Sequence, residues 1–290
     1  NKYQIWYNNV GSGIMSKILG QVNTLEIDKT LPYLDGYIFG LKDYSVNFLN
    51  TYNLDELKDL IIKLKEKNKE IYISINKNLH NKEINELRKI LIEIDNLNIN
   101  GIMYADNGFI TLKKELNLKT NLIWYQEHLT TSYSSINTYK EFGIDSVVIS
   151  NDITIHEVKE IIVNTNSKLY YMIFGYLPMF ISERNQIKNY ENYFKLQGST
   201  EYNYFVNDNI KYPIIDNNLG TFAFSNLPVF AYQEYLEIKD KIDYVILSDL
   251  FIDCDTYIKV LDKVKNERDI DLNIETSPNF LYQDTIYKVK

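Results

Sequence analysis

The chain has 290 residues, 45% hydrophobic and 24% charged, and a net charge of −8 from 31 basic and 39 acidic side chains. That length accommodates one large α/β barrel or two average domains, at an ordinary globular composition. The acidic balance argues against a broad basic face that grips nucleic acid unaided, and the single cysteine, Cys254, excludes an internal disulfide and a self-contained cysteine-ligated zinc or iron–sulfur site.

Strands and helices alternate along the chain. Residues 3–6 read as a short first strand, followed by a turn at Gly11 and Gly13. Residues 37–40 form the second strand, and Asn53 opens a helix with Glu56 three residues on, the spacing of a capping box. In that helix Leu54, Leu57, Leu60, Ile61 and Leu64 make one apolar stripe. Residues 71–76 are the third strand, and Ile84, Leu87, Ile90, Leu91 and Ile94 mark the helix after it. Strands at 101–106, 121–126 and 146–150 come next, with helices around 110–116, from Ser134 to Gly143 and over 155–163. The seventh strand is 169–174. Residues 176–240 interrupt the rhythm with aromatic loop segments, after which a strand at 244–248 and a helix near 256–264 complete eight units.

The fold class is therefore α/β, a (β/α)8 TIM-type barrel with a long aromatic-rich insertion between strands 7 and 8, and residues 1–290 are expected to form a single domain. An open doubly wound sheet is the competing architecture. Its phosphate fingerprint should come directly after the first strand, where Gly11 and Gly13 lack a third glycine.

In such a barrel the chemistry sits at the C-terminal ends of the strands. Those positions hold Asp106, Gln126, Glu127 and His128, and, beyond strand seven, Ser182 and Arg184. Glu127 and His128 are an acid/base pair by type, although neighbours in an extended segment face opposite ways. Local hydrogen bonding is the alternative role for His128, a helix N-cap for Asp106, and an ion pair with Glu183 or Glu191 for Arg184. Tyr190, Tyr193 and Tyr212 in the insertion can line a binding surface or pack a satellite core. Three histidines in separate segments make a metal site unexpected. No apolar run approaches the roughly 20 residues that cross a bilayer, and no signal-peptide pattern opens the chain, so a cytoplasmic location is expected.

From the end of the seventh strand the chain reads Phe174-Gly175-Tyr176-Leu177-Pro178-Met179-Phe180-Ile181-Ser182-Glu183-Arg184, then Tyr190 and Asn192-Tyr193-Phe194. This resembles the signature of the U32 peptidase family, the collagenase-like proteins of bacteria and archaea. Asp35-Gly36-Tyr37-Ile38-Phe39-Gly40, Tyr104-Ala105-Asp106 and Lys211-Tyr212-Pro213 resemble further blocks of that family, in order. The resemblance is to its short, single-barrel members and implies a role in tRNA wobble-uridine 5-hydroxylation, with a prephenate-like carboxylate linked to the reaction. Pro178 stands where the signature cysteine is usual, and Asn47 where an arginine is. The resemblance then implies a degenerate subunit that holds no cofactor alone, partnered by a longer cysteine-bearing U32 paralogue and meeting tRNA through that complex. A collagenase-like peptidase, or a non-catalytic barrel binding a small anion through Arg184, are the alternatives.

Overall fold

The computed structural model describes residues 15–24, 26–126, 128–196, 198 and 203–283. Eight parallel strands close on themselves: β1 (Lys17–Gln21), β2 (Gly36–Leu41), β4 (Glu70–Ile75), β5 (Gly101–Tyr104), β6 (Leu122–Trp124), β7 (Ser146–Ile149), β8 (Lys168–Gly175) and β14 (Tyr244–Ser248). Closure comes from β1, which pairs with β14 on one side (Leu19 opposite Ile246) and with β2 on the other (Leu19 opposite Gly36). The (β/α)8 barrel is thus present. Its first strand is Lys17–Gln21, whereas the stretch at 3–6 expected in that place, and the turn at Gly11 and Gly13, lie outside the described residues. Two short strands add to the rim: β3 (Thr51–Tyr52) beside β2 and β13 (Val229–Phe230), antiparallel, beside β8.

Helices α2 (Leu54–Glu66), α3 (Ile84–Asn96), α4 (Gly108–Leu116), α5 (Tyr133–Glu141), α6 (Ile155–Asn164), α8 (Tyr232–Ile238) and α9 (Cys254–Asn266) cover the outside, with a single turn, α1 (Ile27–Thr30), after β1. Their starts are set by local chemistry. At α2 the Asn53 side chain accepts from the Glu56 amide at 2.9 Å while the Glu56 carboxylate accepts from the Asn53 amide at 2.8 Å, so two otherwise unmet donors are satisfied. Asn53→Ala is expected to lower unfolding free energy by about 1 kcal/mol, read from a urea midpoint at unchanged slope.

Strand parity sorts each residue to the barrel interior or to the helices. The register sets Leu19, Ile38, Met103, Ile123, Val148 and Ile246 inward at mid-height, while Ile73, Tyr104, Trp124 and Tyr171 face the helical layer. Toward the N-terminal end of the barrel, Tyr72 meets Tyr170 edge-on across the interior at 6.0 Å, and Tyr170 stacks on Tyr244 at 4.3 Å. Tyr72 donates to Glu70 at 2.7 Å, and Glu70 pairs with Lys17. Burial pushes both phenols, Tyr72 and Tyr170, well up, so they stay neutral. This aromatic cluster plugs the floor.

The insertion is not a set of loops. It folds into a four-stranded antiparallel sheet in the order β10 (Asn203–Asn207), β11 (Ile210–Asn217), β12 (Gly220–Phe224), β9 (Pro178–Ser182), with helix α7 (Gln186–Phe194) beside it. The β10–β11 turn has Asp208 and Asn209 at φ 49° and 65°, two consecutive left-handed residues as a tight two-residue hairpin requires. One face of this sheet is seated on the barrel mouth through a second small core: Ile215, Phe222 and Phe224 pack with Val46 after β2 and Leu250 after β14. The insertion is a roof.

Candidate functional site

The roof covers only part of the mouth. Between it and the ends of β4, β5 and β6 lies a cavity of about 430 Å³, within the range of small-molecule sites. Its floor and wall come from Asn76, Lys77 and Asn78 after β4, Ala105 after β5, and Tyr125 and Gln126 after β6. Ile181, Glu183, Asn218 and Phe222 hang into it from the roof. Two polar contacts span the opening: His80 Nε2 to Glu183 Oε2 at 3.2 Å, and Asn218 Nδ2 donating to Asp43 Oδ1 at 2.5 Å.

Asn76 shapes this wall. Its Oδ1 accepts from the Val46 amide at 2.9 Å and its Nδ2 donates to the Val46 carbonyl at 3.2 Å, clamping the loop after β2 against the strand end. Lys77 donates to Glu83 at 2.7 Å and to the Asp43 carbonyl at 3.2 Å, which leaves one of its three donors for an occupant. On the opposite rim, buried Asp249 after β14 accepts from the amides of Asn23 (2.6 Å) and Thr24 (2.9 Å) and from Asn23 Nδ2 (3.0 Å). Burial lifts its carboxyl above the ordinary range, and these bonds oppose the shift. Asn23 Oδ1 in turn accepts from the Leu49 amide at 2.8 Å, so the loops after β1, β2 and β14 are tied together.

The candidates named from sequence scatter around this geometry. Gln126 lines the cavity. Asp106 instead accepts from the Gly108 amide at 2.7 Å and the Leu79 amide at 3.0 Å, fastening the α4 start to the loop after β4. Ser182 closes a turn, accepting from the Arg184 amide at 3.2 Å and from Gln186 at 3.3 Å. The Arg184 side chain is exposed, outside the cavity lining, and forms no ion pair among the described residues; Glu183 pairs with His80 instead. Tyr190 and Tyr193 stand exposed on α7, and Tyr212 lines a separate apolar groove with Phe180 and Phe205 on the outer face of the roof. Glu127 lies outside the described residues. Sequence reasoning passed over Lys77 and Asn78, closed the third strand with Asn76, and read His80 as a surface residue at a helix start. Their signal was a polar run directly after the third expected strand, the same rule that picked out Gln126.

His128 sits at a narrower cleft beside Ser150, Asn151, Leu177 and Pro178, and its Nδ1 lies 2.5 Å from Asp152 Oδ2. An Nδ1–H donated to this carboxylate would fix the ring's orientation and leave Nε2 facing outward as the acceptor. A cysteine-ligated cluster finds no set of ligands here. Pro178 lines this cleft, and Cys254, the one cysteine, is at the start of α9, where burial and the neighbouring Glu26 push its thiol up to about 11. Among the described residues no three His, Cys, Asp or Glu side chains converge on a metal position. No helix among them is long and apolar enough to cross a membrane.

Similarity to known proteins narrows the meaning of this arrangement. The chain is 22% identical over 215 residues to the tRNA hydroxylation protein P2 of Bacillus subtilis (strain 168), covering 70% of this chain and 69% of that protein. It is 21% identical over 158 residues to tRNA hydroxylation protein P1 of the same organism, covering 54% of this chain but only 36% of P1. In structure it resembles the U32 peptidase Mk0906, with a TM-score of 0.55 at 14% identity over 82% of this chain and 94% of that one, a likeness of fold. Residues 33–200, from ahead of β2 to the far end of α7, match the profile of peptidase family U32, and the chain belongs to that family.

Proposed function

We propose that this chain serves tRNA hydroxylation in the cytoplasm, as a binding subunit that works beside a longer, cysteine-bearing member of its family. The similarity to protein P2, running through most of both chains, carries the reading. A single cysteine with a raised thiol supports the division of labour, because a redox centre on thiolates then belongs to the other subunit. The cavity's donors are the remaining N–H of Lys77 and the side-chain amides of Asn78 and Gln126, set against Tyr125 and Phe222. That lining suits a small carboxylate with an unsaturated ring, the prephenate-like compound that the family resemblance implies. We assign proton transfer at the neighbouring cleft to His128, and its contact with Asp152 supports that assignment.

Deleting the gene and measuring tRNA nucleosides by mass spectrometry tests this. We expect 5-hydroxyuridine derivatives to fall to background and to return when the gene is restored; unchanged levels would sink the reading. The peptidase alternative predicts gelatin cleavage by the purified chain, and none is expected.

A further inference from the structure

The edge of the roof sheet has a property that the cavity does not use. β10 pairs with β11 on one side, and on its other side no strand is present among the described residues. Tyr204, Phe205 and Val206 are 48%, 55% and 56% exposed, so side chains on both faces of this strand are open. Proteins ordinarily blunt such an edge with charge, proline or a bulge. The sequence Asn203-Tyr204-Phe205-Val206-Asn207 has none of the first two, and its register against β11 runs without a break.

We infer that this edge binds a second copy of the same chain, strand against strand, about a two-fold axis at Phe205. The strand is close to a palindrome. In an antiparallel pairing centred on Phe205, Asn203 meets Asn207 of the second copy and Tyr204 meets Val206 of the second copy. Phe205 meets its own counterpart on the axis. Aromatic–aromatic and aromatic–β-branched cross-strand pairs are the favourable ones, and terminal amides can bond to each other. Each four-stranded roof then becomes half of an eight-stranded sheet, an isologous contact that closes on itself.

Surface and charge agree with this occupant. Four of the exposed large apolar side chains among the described residues, Tyr204, Phe205, Val206 and Ile210, lie on β10 and at the start of β11. Half-exposed and at roughly 200 Å² each, they present about 400 Å², an apolar centre of about half the roughly 800 Å² that one partner gives a standard interface. Along the insertion from Pro178 to Phe224, Arg184, Lys188, Lys195 and Lys211 stand against Glu183, Glu191, Glu201, Asp208 and Asp216, a net charge of −1. Two copies of a chain of net charge −8 meet here with little like-charge repulsion, whereas a near-neutral, slightly acidic surface offers no field for a phosphate backbone.

Sedimentation equilibrium of the purified chain tests the contact independently of any role in tRNA chemistry. A reversible dimer is expected, and Phe205→Lys, which sets two ammonium groups face to face on the axis, should weaken it about tenfold or more with an unchanged circular-dichroism spectrum. In a Cys254→Ser background, Phe205→Cys should cross-link two chains on mild oxidation. A chain that stays monomeric at its highest soluble concentration and fails to cross-link overturns the inference. So does a dimer that is indifferent to Phe205→Lys.

Discussion

Asp249→Ala should lower unfolding free energy by about 3 kcal/mol or more, because it strands three donors that have no other acceptor among the described residues. The Asn23 amide, the Asn23 side chain and the Thr24 amide all end on this one carboxylate. The loss should appear in urea unfolding as a lower midpoint at similar slope. An unchanged midpoint would show that the rim loops are held by other means. Titration gives a second reading. Burial outweighs the bonds and lifts the folded carboxyl, so the folded state holds this proton more tightly than the unfolded chain. The contribution of Asp249 is therefore greatest on the acid side, below the ordinary carboxylate value. It declines as pH rises toward the raised folded value. Measured against Asp249→Asn, which does not titrate, wild-type stability should fall across that window.

Gly220→Ala should dismantle the roof and leave the barrel standing. Gly220 opens β12 at φ 131°, a conformation that side chains rarely adopt. A Cβ there would lie 2.0 Å from the Ser182 carbonyl oxygen and 2.9 Å from the Glu183 Cα. Both are backbone atoms, so no rotamer change relieves the clash. Relief requires separating β12 from β9, where Thr221 pairs with Ser182. That separation withdraws Ile181 and Glu183 from the cavity and loosens Phe222 in the small core. Backbone strain of about 1–3 kcal/mol adds to the lost pairing. Hydrogen exchange should show protection lost over β9 to β12 and kept in β4 to β8, with function lost in the tRNA assay. Full protection of the roof would refute the argument.

Seven of the eight barrel strands could be read from period and punctuation, since each is an apolar run bounded by turns and succeeded by an amphipathic helix. The first could not. Lys17–Gln21 begins with a lysine that serves the floor and contains Gly20, so it is weakly apolar beside the stretch at 3–6. Only its pairing to both β2 and β14 identifies it, and such pairing is a long-range property. The roof was missed for a related reason. Three of its strands, β9, β10 and β12, have five residues each, and β10 is exposed on both faces, so no alternation marks it. Gln126 was legible because a strand end fixes its height. The placements of Arg184 and Ser182 were not, because they depend on how β9 turns into α7. Asp106 shows a further limit: a carboxylate at a strand end serves a ligand or a backbone amide equally well until its neighbours are known.

The tyrosine plug has a consequence for traffic. With Tyr72, Tyr170 and Tyr244 filling the barrel floor, the cavity has no rear exit, and whatever enters past the roof must leave by the same way. Arrival and departure are then mutually exclusive events. A molecule leaving the cavity and one entering it share one opening, bordered by the His80–Glu183 and Asn218–Asp43 contacts.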